Sequence, residues 1–137
     1  MNIQFQAHGK FTLRVEGRLL ITEVCGPWNV ELVELWAKES RDLVKYLSAR
    51  GKWASLAIVK QSLLSTPDAM AILGEVMSYA VKEANMVASA KVRTEDVEGF
   101  GLVEPLFHNM YKNLCPFNFF TDTSAASDWL EQFIADD

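Results

Sequence analysis

Two histidines, His8 and His108, carry the side chains that ordinarily titrate near neutral pH, so any proton-transfer chemistry starts from them. A general base also needs a group that orients it and a nucleophile to serve. No Ser-His-Asp or Cys-His motif surrounds either histidine. Glu104-x-x-x-His108 places a carboxylate and an imidazole one helical turn apart, and Tyr111 follows three residues later. A pocket holding these three is what a small-molecule enzyme built on this chain would use. One Glu-His pair falls short of a metal ligand set, and Glu95, Asp96 and Glu98 lack the ligand spacing of a calcium loop. The glycines are scattered, and Gly99-Phe100-Gly101 alone makes no dinucleotide fingerprint. No metal and no cofactor are expected.

Ser65 and Thr66 are hydroxyls ahead of Pro67-Asp68, and two readings apply to them. Either can cap a helix start, with Ser65 as the cap and Asp68 three residues on as in a capping box. Either can also accept a phosphate, which free amide protons and the positive end of a helix would stabilise. Trp28 follows Gly26-Pro27 at a strand-to-helix junction, where open α/β sheets tend to bind ligands; core packing is the plainer reading. Met70, Gly74, Met77 and Val81 form a second apolar stripe on a helix that already has one. Such a stripe is packed inside or presented to a partner, including a second copy of the chain.

The elements that must position these groups are short and alternate in type. Phe11, Leu13 and Val15 alternate with polar residues as a half-buried strand does, and Glu16-Gly17-Arg18 reads as a tight hairpin turn. Leu19 to Cys25 is the returning strand. Asn29 caps a first helix whose stripe is Leu32, Trp36, Leu43 and Leu47, widened by Val33 and Val44. Trp53 to Val59 is a strand, and Ser65-Thr66-Pro67-Asp68 opens a second helix with Ala69, Leu73, Val76, Ala80 and Ala84 as its first stripe. Met86 to Val92 is a strand. A third helix around Pro105 turns Val103, Leu106, Phe107, Met110 and Leu114 inward. Phe117 to Phe120 is a short strand, and Asp122 or Thr123 caps a last helix facing inward through Ala126, Trp129, Leu130, Phe133 and Ile134.

The order β-β-α-β-α-β-α-β-α predicts an α/β fold: one four- to five-stranded, mostly parallel sheet with an antiparallel N-terminal hairpin strand. Residues 1–137 are expected to form a single domain, as 137 residues would crowd a second core. Half the residues are apolar and 23% are charged, the balance of a globular protein. The formal charge of −5 is uneven: residues 1–68 carry nine basic and seven acidic groups, residues 69–137 four and eleven. Such a surface opposes phosphate backbones, so nucleic acid is not an expected partner. No run of 18 apolar residues offers a membrane span. Cys25 and Cys115 suit neither a disulfide scaffold nor a zinc site, and a cytoplasmic location with reduced thiols is expected.

Four stretches together resemble the STAS superfamily, specifically its SpoIIAA-like branch of small bacterial proteins. They are Gly26-Pro27-Trp28-Asn29 after the hairpin, Trp53-Ala54-Ser55-Leu56 entering the middle strand, Ser65-Thr66-Pro67-Asp68-Ala69, and Phe119-Phe120-Thr121-Asp122 followed by Ala125 or Ala126 and Trp129-Leu130. The element order carries the likeness over about residues 11–134. The resemblance implies a non-enzymatic, regulatory module that binds a protein partner or a small apolar or lipid-like ligand. It also implies a phosphorylatable serine opening the helix after the third strand, usually in an Asp-Ser-Ser context; the matching place is Ser65-Thr66. Independently of the resemblance, the residues themselves offer Trp28, Met70, Gly74, Met77, Val81, His108 and Tyr111 as candidates to meet a ligand or partner. The competing expectations are a small-molecule enzyme centred on His108 and a structural homodimer formed through the Met70–Val81 stripe.

Overall fold

The computed structural model describes residues 10–135, so His8 lies outside the described residues. Nine elements follow one another: β1 (Lys10–Glu16), β2 (Leu19–Cys25), α1 (Val30–Ser48), β3 (Trp53–Lys60), α2 (Pro67–Glu83), β4 (Met86–Arg93), α3 (Phe100–Tyr111), β5 (Phe117–Phe120) and α4 (Thr123–Ile134). This is the expected order. The five strands form one sheet in sequence order, with β1 antiparallel to β2 and every later pairing parallel. Gly17 makes the β1–β2 turn at φ +59°, a backbone region that costs glycine nothing.

Alternation along the strands divides the core in two. Leu20, Val24, Ala57 and Val59 face one side with α1, α2 and α3; Leu19, Ile21, Ala54, Leu56, Ala88, Ala90 and Val92 face α4. Small residues on the α4 side let Ala126, Leu130 and Ile134 lie close against the strands. Parallel strands buried on both faces need near-continuous apolar sequence, which β2, β3 and β4 supply. β1 is one of the two edge strands, opposite β5, and alternates half-buried with exposed positions.

Three local expectations are corrected. The N-cap of α2 is Thr66, whose Oγ1 accepts from the Ala69 amide at 3.1 Å, and Ser65 lies one residue outside the helix. The inner face of α3 is Val103, Phe107 and Tyr111, at a spacing of four; Leu106 is turned outward and 50% exposed. On α1 the buried row runs through Ser40 rather than Leu43, because Leu43 and Val44 lie at its half-buried margin. Asp122 caps α4 through a 2.8 Å bond from the Ala125 amide.

Candidate functional site

The carboxyl ends of β2, β3, β4 and β5 share one edge, the edge at which open α/β sheets form ligand crevices. The loops leaving it are stitched together by main-chain bonds. Gly26 N–H donates to the Lys60 carbonyl (3.1 Å), Trp28 N–H to the Leu64 carbonyl (2.9 Å), and Leu63 N–H to the Glu98 carbonyl (2.8 Å). Isolated parallel bridges pair Trp28 with Ser65 and Ser62 with Glu98. Gly26 has no alternative, since a Cβ there would lie 2.0 Å from the Ser62 carbonyl oxygen.

This stitching fixes Trp28 in the core. Its ring meets Trp36 edge-on at 6.0 Å, and Trp36 in turn donates its indole N–H to Thr22 Oγ1 at 3.0 Å. The Trp28 indole N–H has no such acceptor. Asn29 caps α1 with its Oδ1, which accepts from the Leu32 amide at 2.9 Å, and its Nδ2 is left unpartnered. Ser65, held opposite Trp28 by the bridge, keeps a buried Oγ without a partner. These three are the buried, unpartnered side-chain polar atoms among the described residues. Buried polar groups are normally satisfied, so their concentration on consecutive and cross-bridged positions is informative.

Facing the Trp28 ring is Lys91, a lysine inside the apolar strand MVASAKV for which no role is expected from sequence. It is 4% exposed and alternates onto the α1–α3 side of β4 along with Ser89. Its Nζ is 4.7 Å from the centroid of the Phe107 ring and 5.9 Å from that of Trp28. No hydrogen bond or ion pair to the ammonium is formed among the described residues, and its Nζ is not one of the fully sealed polar atoms. Burial pulls its pKa down from 10.5 to about 8. The signal available in the sequence was a charged residue at an inward position of an otherwise apolar eight-residue strand.

The His108 surface is built differently. His108 Nε2 is 3.8 Å from Glu104 Oε2, and both side chains are 44% exposed. The imidazole leans edge-on against Phe117 and Phe119. A cavity of about 540 Å³ lies beside it, lined by His108, Tyr111, Cys115 and Phe117 among others. Tyr111, however, is buried, stacked on Phe117 at 4.4 Å, and its oxygen accepts from Ser89 Oγ at 3.1 Å. Burial drives the phenol's pKa well above its ordinary value and lifts the Cys115 thiol to about 11. Neither hydroxyl nor thiol is therefore poised as a nucleophile for His108. Among the described residues no group of three or more His, Cys, Asp and Glu could hold a metal ion.

The remaining sites of interest fall apart from one another. Thr66 is exposed and engaged in its cap. Met77 is buried in the main core, whereas Met70 and Val81 are half-buried against it. Gly74 faces Met110 of α3, at ordinary contact distance from where a Cβ would stand. The structure thus brings Trp28 and Ser65 together with Lys91 and Phe107, keeps Tyr111 in α3's buried inner row, and leaves His108 half exposed against Phe117 and Phe119. No helix among the described residues is long and apolar enough to cross a membrane. No family model, curated protein or solved structure matches the chain.

Proposed function

We propose that this protein is a non-enzymatic, SpoIIAA-like binding module of the STAS type, working in the bacterial cytoplasm, and that it takes a small, largely apolar ligand at the carboxyl edge of its sheet, beneath α3. The observation that carries the reading is Lys91: a charged group buried between two aromatic rings without a counter-ion, next to a run of unpartnered donors. A fold that needed only stability would place an apolar side chain there. Native mass spectrometry of protein purified from its own host tests this. A small-molecule adduct lost on denaturation is expected. A bare chain mass under all growth conditions, with no thermal shift from any apolar compound, overturns it.

A second reading, a protein partner or a second copy, is favoured by a different feature. Between α1 and α2 runs a groove of about 390 Å³ whose walls include Ala37, Val44, Val76 and Tyr79, and Tyr79 is 61% exposed. Light scattering across a concentration series, with and without Tyr79→Glu, tests it. One chain mass throughout removes the homodimer.

A further inference from the structure

We infer that the ligand carries a carboxylate, and that this carboxylate is the missing counter-ion of Lys91: the ligand class is a monocarboxylic acid with an apolar body. The inference rests on the reading that a small apolar ligand enters beneath α3, and it adds the chemistry of the ligand's head.

The site offers mainly hydrogen-bond donors. Lys91 presents an ammonium, which only donates. The Trp28 indole nitrogen only donates, and the unpartnered Asn29 atom is the amide nitrogen, because the oxygen is held by the α1 cap. The Ser65 hydroxyl can do either. A set that gives hydrogen bonds and asks for almost none fits a group rich in acceptors. The charge narrows the choice. Lys91 brings one positive charge, and no acidic residue of the chain answers it among the described residues. A monoanion balances that charge; a phosphate dianion would leave one negative charge stranded among Trp28, Phe107 and the aromatic cluster behind Phe107. The positive ends of α1 and α2, which begin at Asn29 and Thr66 on this same edge, add potential of the same sign. The rings themselves suit an apolar body lying against their faces.

The way in is under α3. This helix starts on Gly99 at φ +88° with no side-chain cap, and a Cβ on Gly101, just inside it, would meet nothing within 4 Å. Its covering residue over Lys91 is Phe107, and its outer face bears exposed Leu102 and Leu106. No side-chain cap holds its first turn, so the main-chain bonds of Glu98 to Gln61 and Leu63 are what tie its start to the loop after β3.

The test is calorimetric titration of octanoate and of octan-1-ol into the full chain and into Lys91→Met. Octanoate is expected to bind the wild type at least about tenfold more tightly than the alcohol. Lys91→Met is expected to bind both alike, near the wild type's affinity for the alcohol. Equal binding of acid and alcohol by the wild type overturns the carboxylate while leaving the apolar site standing. A preference for the acid that survives in Lys91→Met also overturns it, by placing the carboxylate elsewhere. If neither compound binds, the site beneath α3 falls, and the carboxylate with it. If the variant fails to fold, the Lys91 13Cε resonance of the wild type decides: octanoate should shift it and octan-1-ol should not, and a resonance indifferent to both overturns the assignment.

Discussion

The ammonium nitrogen of Lys91 stands 4.7 Å from the centre of the Phe107 ring, in a sheet face whose other buried side chains are apolar or bear only a hydroxyl. Aromatic faces attract a cation, yet they do not replace the water or carboxylate that a lysine normally keeps. That one relationship sets the pH behaviour of the fold and the choice of ligand proposed for it.

Stability should rise with pH through the range set by Lys91. Its pKa is about 8 in the folded chain and 10.5 when unfolded, so between these values the unfolded chain holds more protons and raising the pH favours the folded state. Below pH 8 the penalty is fully present. Lys91→Met should therefore gain stability at pH 7, by up to about 3 kcal/mol less the attraction of the rings. Cys115 and Tyr111, whose pKa values burial raises, lose stabilisation above pH 9 and oppose the trend. The difference between wild type and variant in urea unfolding at pH 7 and pH 10 isolates Lys91. A gain at pH 7 that does not shrink by pH 10 contradicts the assignment.

Ser65 and Thr66 are adjacent hydroxyls with opposite expected effects. Thr66→Ala removes the cap of α2 and should cost about 1 kcal/mol. Ser65→Ala removes a buried hydroxyl that has no partner, so it should be neutral or slightly stabilising in the ligand-free protein. Thermal unfolding of both variants measures this. Equal losses would show that Ser65 takes part in the cap.

The Ser89–Tyr111 bond joins β4 to α3 and should behave as a coupled pair. Tyr111→Phe should cost about 1–2 kcal/mol by leaving the Ser89 hydroxyl buried and unpaired. Ser89→Ala should cost a similar amount by orphaning the phenol. The double variant should cost less than the two single losses combined. Strictly additive losses in chemical denaturation would mean that the bond contributes nothing.

Residues with local causes were readable in the sequence, and residues defined by distant neighbours were not. Gly17, Asn29 and Asp122 act through backbone within three residues of themselves, and the hairpin turn and the helix starts follow from them. The strand order followed from alternation and connection length. Leu106 and Tyr111 exchanged roles because a helix with apolar residues on several sides leaves its inner row undecided until Phe117 provides a stacking surface for Tyr111. Lys91 was missed for a related reason. Its burial depends on Trp28 and Phe107, which lie 63 positions before it and 16 after it, and no local pattern brings those rings together.

The Met70–Val81 stripe divides on the same principle, and this separates interface from core. Met77 is buried between α2 and the sheet-side core, so Met77→Glu forces a carboxylate into an apolar layer. The expected cost is at least about 3 kcal/mol, enough to unfold much of a marginally stable domain. A loss of assembly in that variant would therefore say nothing about an interface. Tyr79, two residues on, stands on the open side of α2, and Tyr79→Glu should change stability by less than about 0.5 kcal/mol. Measuring both unfolding and sedimentation for the two variants separates the effects. If Met77→Glu folds with wild-type stability, the packing of α2 described here is wrong; if Tyr79→Glu alone lowers the sedimenting mass, the α1–α2 groove is where two copies meet.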